Sequence, residues 1–228
     1  MSLIGTAAVA MWWHIAPEHR DEFLDWHTHE HHPERLSIEG FGRGTRWASE
    51  DDATGFFVMY ELASRETLAG PAYMERLNNP TPWSTRMMPR HTRMVRSLCD
   101  VTGSEGAGNG RYMLTVRLSP AEGREASLRG YLQSVLQVLA MQRGIAGAHL
   151  LEASALGPVA QTQEQRIRGG DGTADWVFLV CGYDAQAMRG LLASHLSAGK
   201  LASEGAEGTQ LTGLYGLSGT LSARETGR

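Results

Sequence analysis

The chain has 228 residues, of which 42% are hydrophobic and 20% are charged, proportions that are ordinary for a soluble globular protein. A chain of this length is sufficient for one large domain or for two modules of about 100 residues each. The formal net charge of −4 argues against nucleic acid as a partner, because phosphate binding requires a clustered basic surface.

Two further features of the sequence indicate the cellular compartment of the protein. The N-terminus has no basic segment followed by a long apolar run, and no window of the sequence approaches a membrane span. Cys99 and Cys181 lie in apolar, strand-like runs, which favours buried thiols over a disulfide. We therefore expect a cytoplasmic protein with no membrane partner.

The first half of the chain alternates predicted strands and helices. An apolar strand is predicted at 5–15, then a helix at 17–32 that opens with Pro17, then a strand after Gly40. A third strand (GFFVMYEL) is predicted at 55–62, a second helix at about 64–78, and a last strand near 92–101.

The second half repeats this order of elements. Strands are predicted at 111–118, after Gly144, at 174–183 and at 209–220, and helices at 120–142 and 184–199. A long polar loop is expected at 155–174. The order β-α-β-β-α-β therefore occurs twice, which is the order of the ferredoxin-like unit.

This repeat predicts the fold class and the domain boundaries. In a ferredoxin-like unit two helices cover one face of an antiparallel sheet, so the other apolar face needs a cover. Two such sheets in one chain can cover each other, which predicts an α+β fold in which both sheets pack into one α/β barrel. We assign the first repeat to 1–102, a glycine-rich linker to 103–110 and the second repeat to 111–228.

The densest group of chemically active side chains lies at 26–47 (WHTHEHHPERLSIEGFGRGTRW). With Phe23 facing the core, helical spacing places Trp26, His27, Glu30 and His31 on the inward side and His32 on the outward side. Pro33 disfavours helical geometry at the residue before it, so the helix is expected to end at His32.

Trp26, His27, His31 and Pro33 form a pattern that resembles EthD-type members of the dimeric α/β-barrel superfamily. The order of strands and helices resembles this superfamily over nearly the whole chain, in the form in which two repeats are fused into one chain. Members of this superfamily include cofactor-free monooxygenases, lactone isomerases, haem enzymes and many proteins of unknown function. The resemblance therefore implies the fold without settling the function. The barrel is also expected to be able to pair again as a homodimer.

Strand alternation predicts which side chains point between the two sheets. In the first strand Met11, Trp13 and Ile15 should pack under the helices, and in the fifth strand Leu114, Val116 and Leu118 should do the same. The opposite parity of the second strand comprises Phe41, Arg43, Thr45 and Trp47. One cavity between the sheets is thus expected to receive the side chains of Trp12, His14, Arg43, Trp47, Arg117 and His149.

Several kinds of chemistry are compatible with these residues. His27 and His31, four residues apart, could bind a metal together with Glu30 or Glu34, but Thr28 stands where zinc proteases have a glutamate. The resemblance implies that haem, if bound, would be held by a histidine of the second half, His149 or His195. A histidine beside a glutamate could instead transfer a proton, and a planar guanidinium could hold an anion.

We expect a small-molecule-binding barrel that requires no metal or other cofactor. It would be an enzyme of the isomerase, cyclase or monooxygenase type, acting on an anionic or aromatic metabolite. The predicted catalytic residues are His14, His27, Glu30, His31 and Arg43, and the predicted substrate-binding residues are Trp12, Trp47, Tyr60, Arg117 and His149. The alternatives are a non-catalytic ligand-binding or stress-related barrel and a metal- or haem-dependent enzyme. The second repeat has QSVLQVLA at 133–140 in place of the histidine-rich helix, so one functional site per chain is expected.

Overall fold

The computed structural model describes residues 3–153 and 162–226. Its β-strands are β1 (Ala7–His14), β2 (Phe41–Ser49), β3 (Gly55–Leu62), β4 (Thr92–Gly106), β5 (Tyr112–Pro120), β6 (Ile145–Ala153), β7 (Trp176–Gly182) and β8 (Ala206–Ser222). Its α-helices are α1 (Arg20–Trp26), α2 (His32–Leu36), α3 (Pro71–Asn78), α4 (Pro82–Met87), α5 (Glu125–Leu139), α6 (Gln163–Arg168), α7 (Ala185–Leu191) and α8 (Ala198–Glu204).

The predicted order of elements is confirmed in both halves. Each half contributes four strands with helical segments after the first and third, which is the β-α-β-β-α-β order of the ferredoxin-like unit. Hydrogen bonds link the strands into a closed barrel in the order β1-β3-β2-β8-β5-β7-β6-β4. The protein is therefore an α+β barrel of two tandem ferredoxin-like repeats. Within the described residues, no helix combines the length and the apolar character needed to cross a membrane.

The chain divides into two compact units, each with its own apolar core. The first unit consists of the described residues of 4–100, 154–173 and 218–228, and Phe23 and Phe56 are buried in its core. The second consists of the described residues of 1–3, 101–153 and 174–217, with Leu132 and Phe178 fully buried. Each large apolar side chain that is removed from water in this way contributes about 1.5–3 kcal/mol.

The predicted strand faces are confirmed in β1 and β5. Met11, Trp13 and Ile15 belong to the core that includes the helices of the first unit. Leu114, Val116 and Leu118 belong to the corresponding core of the second unit. Trp12 lies on the opposite face of its sheet, where it stacks on Phe57 at a ring-centroid distance of 4.9 Å.

The prediction for Phe41 was wrong, because β2 has a bulge at Gly42. Phe41 pairs with Leu62 while Arg43 pairs with the adjacent Glu61, so side chains two residues apart on β2 face opposite sides of the sheet. Phe41 therefore packs under the helices, with its ring centroid 5.5 Å from that of Tyr73. Strict alternation with a period of two cannot reveal such an extra residue.

The prediction that the first helix ends at His32 was also wrong. A π-helical turn at His27–His31 follows α1, and the N–H of His32 donates to the carbonyl of His27, five residues earlier. This wider turn accommodates Pro33, which would clash in a regular α-helix, and α2 then continues to Leu36. The extra residue rotates the following side chains by about 100°, so His32 faces inward and is buried.

Other boundaries differ from the predictions at the ends of elements. Strand β4 continues to Gly106 and so includes the first four residues of the predicted linker at 103–110. The predicted helix at 184–199 forms two short helices, α7 and α8. Of the predicted loop at 155–174, residues 155–161 lie outside the described residues, and 163–168 form α6.

Candidate functional site

The strongest candidate for a functional site is a cavity between the sheet and the helices of the first compact unit. The cavity has a volume of about 40 Å³, which is enough for a few water molecules. Its aromatic walls are Trp13, Trp26, Phe41 and Tyr73. The polar side chains that converge on it include His27, His31, Arg35, Tyr60, His91, Arg96 and Glu164.

Glu30 fixes the histidine-rich helix against the segment that begins α4. Its Oε1 accepts hydrogen bonds from Trp26 Nε1 at 3.1 Å, Ser84 Oγ at 3.2 Å and Thr81 Oγ1 at 2.5 Å. Thr81 also caps α4 by accepting from the N–H of Ser84. With three donors on one oxygen, Glu30 is placed to hold the cavity wall rather than to take a proton from a ligand.

His27 presents a defined hydrogen-bond donor to the cavity. Its Nδ1 lies 3.2 Å from Arg46 Nη1, and because a guanidinium can only donate, Nδ1 accepts and the ring proton resides on Nε2. Nε2 is buried without a hydrogen-bond partner among the described residues. Burial first, and then the charges of His32 and Arg46, hold the pKa of His27 well below its ordinary value. The ring is therefore neutral and offers an N–H.

His32 and Tyr60 add two further neutral polar groups beside His27. The His27 and His32 ring centroids are 4.1 Å apart, and burial followed by the charge of Arg46 lowers the pKa of His32 to about 3. Burial raises the pKa of Tyr60 above its ordinary value, so its phenol stays protonated. The Tyr60 hydroxyl and His32 Nε2 are both buried, and neither has a hydrogen-bond partner within the described part of the chain.

Stacking and close packing hold the neighbouring helix turns in place. His31 stacks on Trp26 with ring centroids 4.5 Å apart, and its Nδ1 lies 3.9 Å from Glu34 Oε2. At Gly44 an added Cβ would lie 2.7 Å from the Tyr60 ring. The same Cβ would lie 3.2 Å from His32 Nε2 of α2, so the absence of a side chain at Gly44 lets the helix approach the sheet.

His91 presents the opposite tautomer to the same cavity. Its Nδ1 lies 3.0 Å from the carbonyl oxygen of Met87, so Nδ1 bears a proton, and Nε2 is the nitrogen through which the neutral form of the ring would accept one. The ring packs against Trp13 at 5.0 Å and against Trp26 at 5.7 Å. The cavity thus contains one imidazole that donates through Nε2 and one that accepts through Nε2.

A buried cation forms another part of the cavity wall. Arg35 is 3% exposed and pairs with Glu164 of α6, and its Nη1 also lies 3.6 Å from Glu34 Oε2. Burial alone would lower the pKa of Arg35, but the charges of Glu164, Tyr73 and Glu34 raise it above its ordinary value. Burial also raises the pKa of the Glu34 carboxyl, against the effect of Arg35.

Arg96 and Tyr73 form a second polar contact on the cavity. Arg96 Nη2 donates to the Tyr73 hydroxyl oxygen at 2.6 Å. The Arg35 guanidinium lies over the Tyr73 ring at 5.9 Å from its centroid. This side of the cavity therefore has two guanidinium groups, which favours ligands with a negative charge or a strong acceptor.

Several residues of the predicted site lie on the opposite face of the same sheet. Trp12 and Trp47 both stack on Phe57, at 4.9 Å and 5.2 Å. Arg43 makes a bidentate pair with Glu61, at 2.7 Å and 2.8 Å. Burial raises the pKa of Glu61, although its hydrogen bond from Arg43 acts against it.

The remaining predicted residues do not line this cavity. His14 lies at the end of β1, where its Nδ1 is 3.2 Å from Asp52 Oδ2. In the second unit, His149 is fully buried, with Nδ1 2.9 Å from Ser104 Oγ. Burial lowers the pKa of Arg117, which also belongs to the second unit.

The cavity brings His27, His31 and Tyr60 together with residues that the sequence did not single out. His91 and Glu164 lie far along the chain from the histidine-rich helix, so local spacing could not find them. One available signal was the segment YMERLNNPTPW at 73–83, which contributes its first residue to the cavity and supports the wall through Thr81.

The structure also places the residues on which the metal and haem alternatives depend. No group of three or more His, Cys, Asp or Glu side chains within the described residues is arranged to hold a metal ion. Of the second-half histidines considered for haem, His149 is enclosed, and its Nε2 lies 4.0 Å from Cys181 Sγ. A haem iron would need this side chain to leave its packing.

No protein-family model matches the sequence, and no curated protein matches it either. Solved structures do match over nearly the whole chain. An anthrone oxidase-like protein is 15% identical, with a TM-score of 0.69 over 98% of this chain and 95% of that one. A candidate monooxygenase from Lactobacillus acidophilus NCFM is 9% identical, with a TM-score of 0.59 over 96% of this chain and 97% of that one.

A candidate chlorite dismutase has a TM-score of 0.57 and 12% identity, with 98% of each chain covered. At these identities the likeness shows the fold and does not transfer an activity or a site. The chain is therefore similar in fold to barrels whose names refer to different chemistries.

Proposed function

We propose that the cavity is the active site of a cofactor-independent enzyme that removes a proton from a small aromatic ketone and lets dioxygen oxidise the resulting enolate. The supporting observation is the pair of opposite tautomers, His27 with its proton on Nε2 and His91 with its proton on Nδ1. A base and a hydrogen-bond donor in one buried cavity are the two groups that enolisation requires.

Each residue has a distinct role in this proposal. His91 Nε2 accepts the proton from the reacting methylene carbon. His27 Nε2–H and the Tyr60 hydroxyl donate to the oxygen on which negative charge develops, and both are buried, which strengthens such hydrogen bonds. Trp13 and Trp26 pack against the aromatic rings of the substrate.

Dioxygen is the oxidant, and the overall change is balanced. The enolate carbon forms a bond to O₂, and the peroxide takes up the proton that His91 removed. Loss of water then converts the original methylene group into a carbonyl. One oxygen atom of O₂ enters the product, and the other leaves as water together with the two hydrogens of the methylene. The anthrone oxidase-like neighbour suggests anthrone as a first probe.

Oxygen uptake with anthrone tests the proposal with two asparagine variants. His91→Asn keeps an N–H for the Met87 carbonyl but removes the base, and turnover should fall about 10²–10⁴-fold. His27→Asn keeps an acceptor for Arg46 but removes the donor, and turnover should fall about 10²–10³-fold. His27→Gln returns a donor near the position of Nε2 and should recover part of the loss.

The control is His29→Gln, on an exposed histidine of the same helical segment, which should leave turnover unchanged. Circular dichroism and thermal unfolding establish that the variants are folded. Equal turnover in wild type and His91→Asn would contradict the proposed base.

A non-catalytic binding protein is the second candidate, and the small volume of the cavity favours it. A cavity of about 40 Å³ is far smaller than the roughly 300–1,000 Å³ of typical ligand sites. In an enzyme the cavity walls would therefore have to open and close in every turnover. In a binding protein they need to open only once for each ligand that is bound. If anthrone or a related ketone raises the melting temperature but no oxygen is consumed, the binding function is supported and the enzymatic one is excluded for that ligand.

A further inference from the structure

Arg35 is a buried cation on the cavity wall, and its partner comes from a segment distant in the chain. The guanidinium is 3% exposed, and Glu164 of α6 pairs with it. A buried charge that loses its partner is strongly destabilising. Without Glu164, Arg35 would keep only the longer contact with Glu34 Oε2, at 3.6 Å, so a rearrangement that removes Glu164 is favoured when it supplies another anion to Arg35.

Hydrogen bonds hold the segment that contains Glu164 at its two ends. The capping box of α6 is internal, between Thr162 and Gln165. At the start of the segment, the backbone N–H of Gln163 donates to the side-chain oxygen Oδ1 of Asn78 at 3.2 Å.

At the far end of the segment, the N–H of Gly172 donates to the carbonyl oxygen of Met94 at 2.8 Å. Gly169 lies between these ends with a φ of 82°, a left-handed conformation that glycine adopts readily and that permits a change of direction there.

The size of the cavity indicates that one wall moves when a ligand enters. About 40 Å³ of room cannot hold an aromatic ring, since cavities that take up benzene have about 150 Å³. Much of the remaining wall belongs to the sheet and the packed core, which resist displacement. Helix α6 has only six residues, and its displacement would open the cavity and leave the sheet and the core intact.

We propose that Arg35 is the anion-binding group of this site and that an aromatic carboxylate displaces Glu164 from it. The exchange replaces one carboxylate with another, so Arg35 remains paired throughout while Glu164 moves out to water. A neutral ligand of the same shape binds more weakly, because it leaves the guanidinium with only the longer contact to Glu34, at 3.6 Å. A neutral ketone such as anthrone is therefore a weaker ligand for this site than a ketone of the same shape that bears a carboxylate. The site is thereby selective for carboxylates. This inference rests on the proposed function and specifies its substrate class as aromatic ketones that also bear a carboxylate.

A matched pair of probes tests the exchange without any requirement for turnover. 2-Naphthoate and 2-naphthamide have nearly the same shape and differ in charge. In Glu164→Gln the competing negative charge is absent, so naphthoate should bind at least about tenfold more tightly than to the wild type. Naphthamide no longer has to separate Arg35 from Glu164 in this variant, so its affinity should also rise, but it should stay at least about tenfold below that of naphthoate, because only the carboxylate pairs with the guanidinium. Glu75→Gln, on an exposed glutamate of α3, removes one charge elsewhere and should change neither affinity.

Hydrogen exchange in the wild type gives a second readout that needs no variant. Saturating naphthoate should speed the exchange of the backbone amides of α6, and naphthamide should not. An equal naphthoate affinity in wild type and Glu164→Gln, or a naphthoate-induced slowing of exchange in α6, would overturn the proposal. Unchanged oxygen uptake in His91→Asn would instead contradict the proposed chemistry, since that variant leaves Arg35 and Glu164 in place.

Discussion

Acidification from pH 7.5 to 5.0 should destabilise the protein through two buried histidines, His27 and His32. Burial is the main cause that lowers both pKa values, to about 3 for His32. In the unfolded chain each ring takes up a proton near pH 6.5, but in the folded protein it stays neutral. The unfolded state therefore binds more protons between about pH 6.5 and pH 3, and the stability present above pH 6.5 is lost as the pH falls.

The size of the effect follows from the difference in bound protons. His32 contributes about 1.4 kcal/mol per pH unit below its unfolded pKa, so at pH 5.0 it costs about 2 kcal/mol, and His27 adds a loss of the same sign. That is a large part of the roughly 5–15 kcal/mol that typically stabilises a native protein. Glu34 and Glu61 have pKa values raised mainly by burial and act with the opposite sign, so differences between variants are the informative quantity.

Urea unfolding of wild type, His32→Gln and His29→Gln at both pH values measures these differences. On acidification His32→Gln should lose about 2 kcal/mol less than wild type, because one of the two titrating rings is absent. His29 is exposed, and its replacement should leave the pH dependence unchanged. If wild type and His32→Gln lose the same free energy, the inference that His32 is neutral in the folded protein is refuted.

Two further predictions concern the walls of the cavity. Glu30→Ala leaves the donors of Trp26 and Ser84 without this acceptor, so the free energy of unfolding in urea should fall by about 2 kcal/mol or more. Wild-type stability would contradict the inference that Glu30 holds the histidine-rich helix against α4. Gly44→Val places side-chain atoms against the Tyr60 ring and His32 Nε2, which lie 2.7 Å and 3.2 Å from an added Cβ, and should lower the melting temperature. A melting temperature equal to wild type would show that Tyr60 of the sheet and His32 of the helix do not approach Gly44 as closely as described.

The fold was predictable because it depends on regular patterns that the sequence displays. Alternation assigned the correct faces to Trp13 in β1 and Val116 in β5, where the pairing with β3 and with β7 is regular. Phe41 escaped prediction because one extra residue, Gly42, reverses the alternation locally. His32 escaped because a π turn changes the helical period from that point onward.

The candidate site was predictable only as a region. The histidine-rich helix and Tyr60 do line the cavity. However, this cavity lies under the helices, whereas strand alternation predicted a cavity between the two sheets. Alternation assigns a residue to a face without indicating which face has room for a ligand. His91 and Glu164 come from distant elements, and only the tertiary fold brings them to His27.

The π turn also has a consequence for how such a site can arise or disappear. In the second repeat the core side of α5 is lined by leucines at regular helical spacing, among them Leu128, Leu132 and Leu139. In the first repeat one additional residue in the winding turns His32 inward beside His27. Deletion of a single codon in this turn would therefore rotate His32 away from His27 and take one polar group out of the site, while the strands that form the barrel keep their sequence.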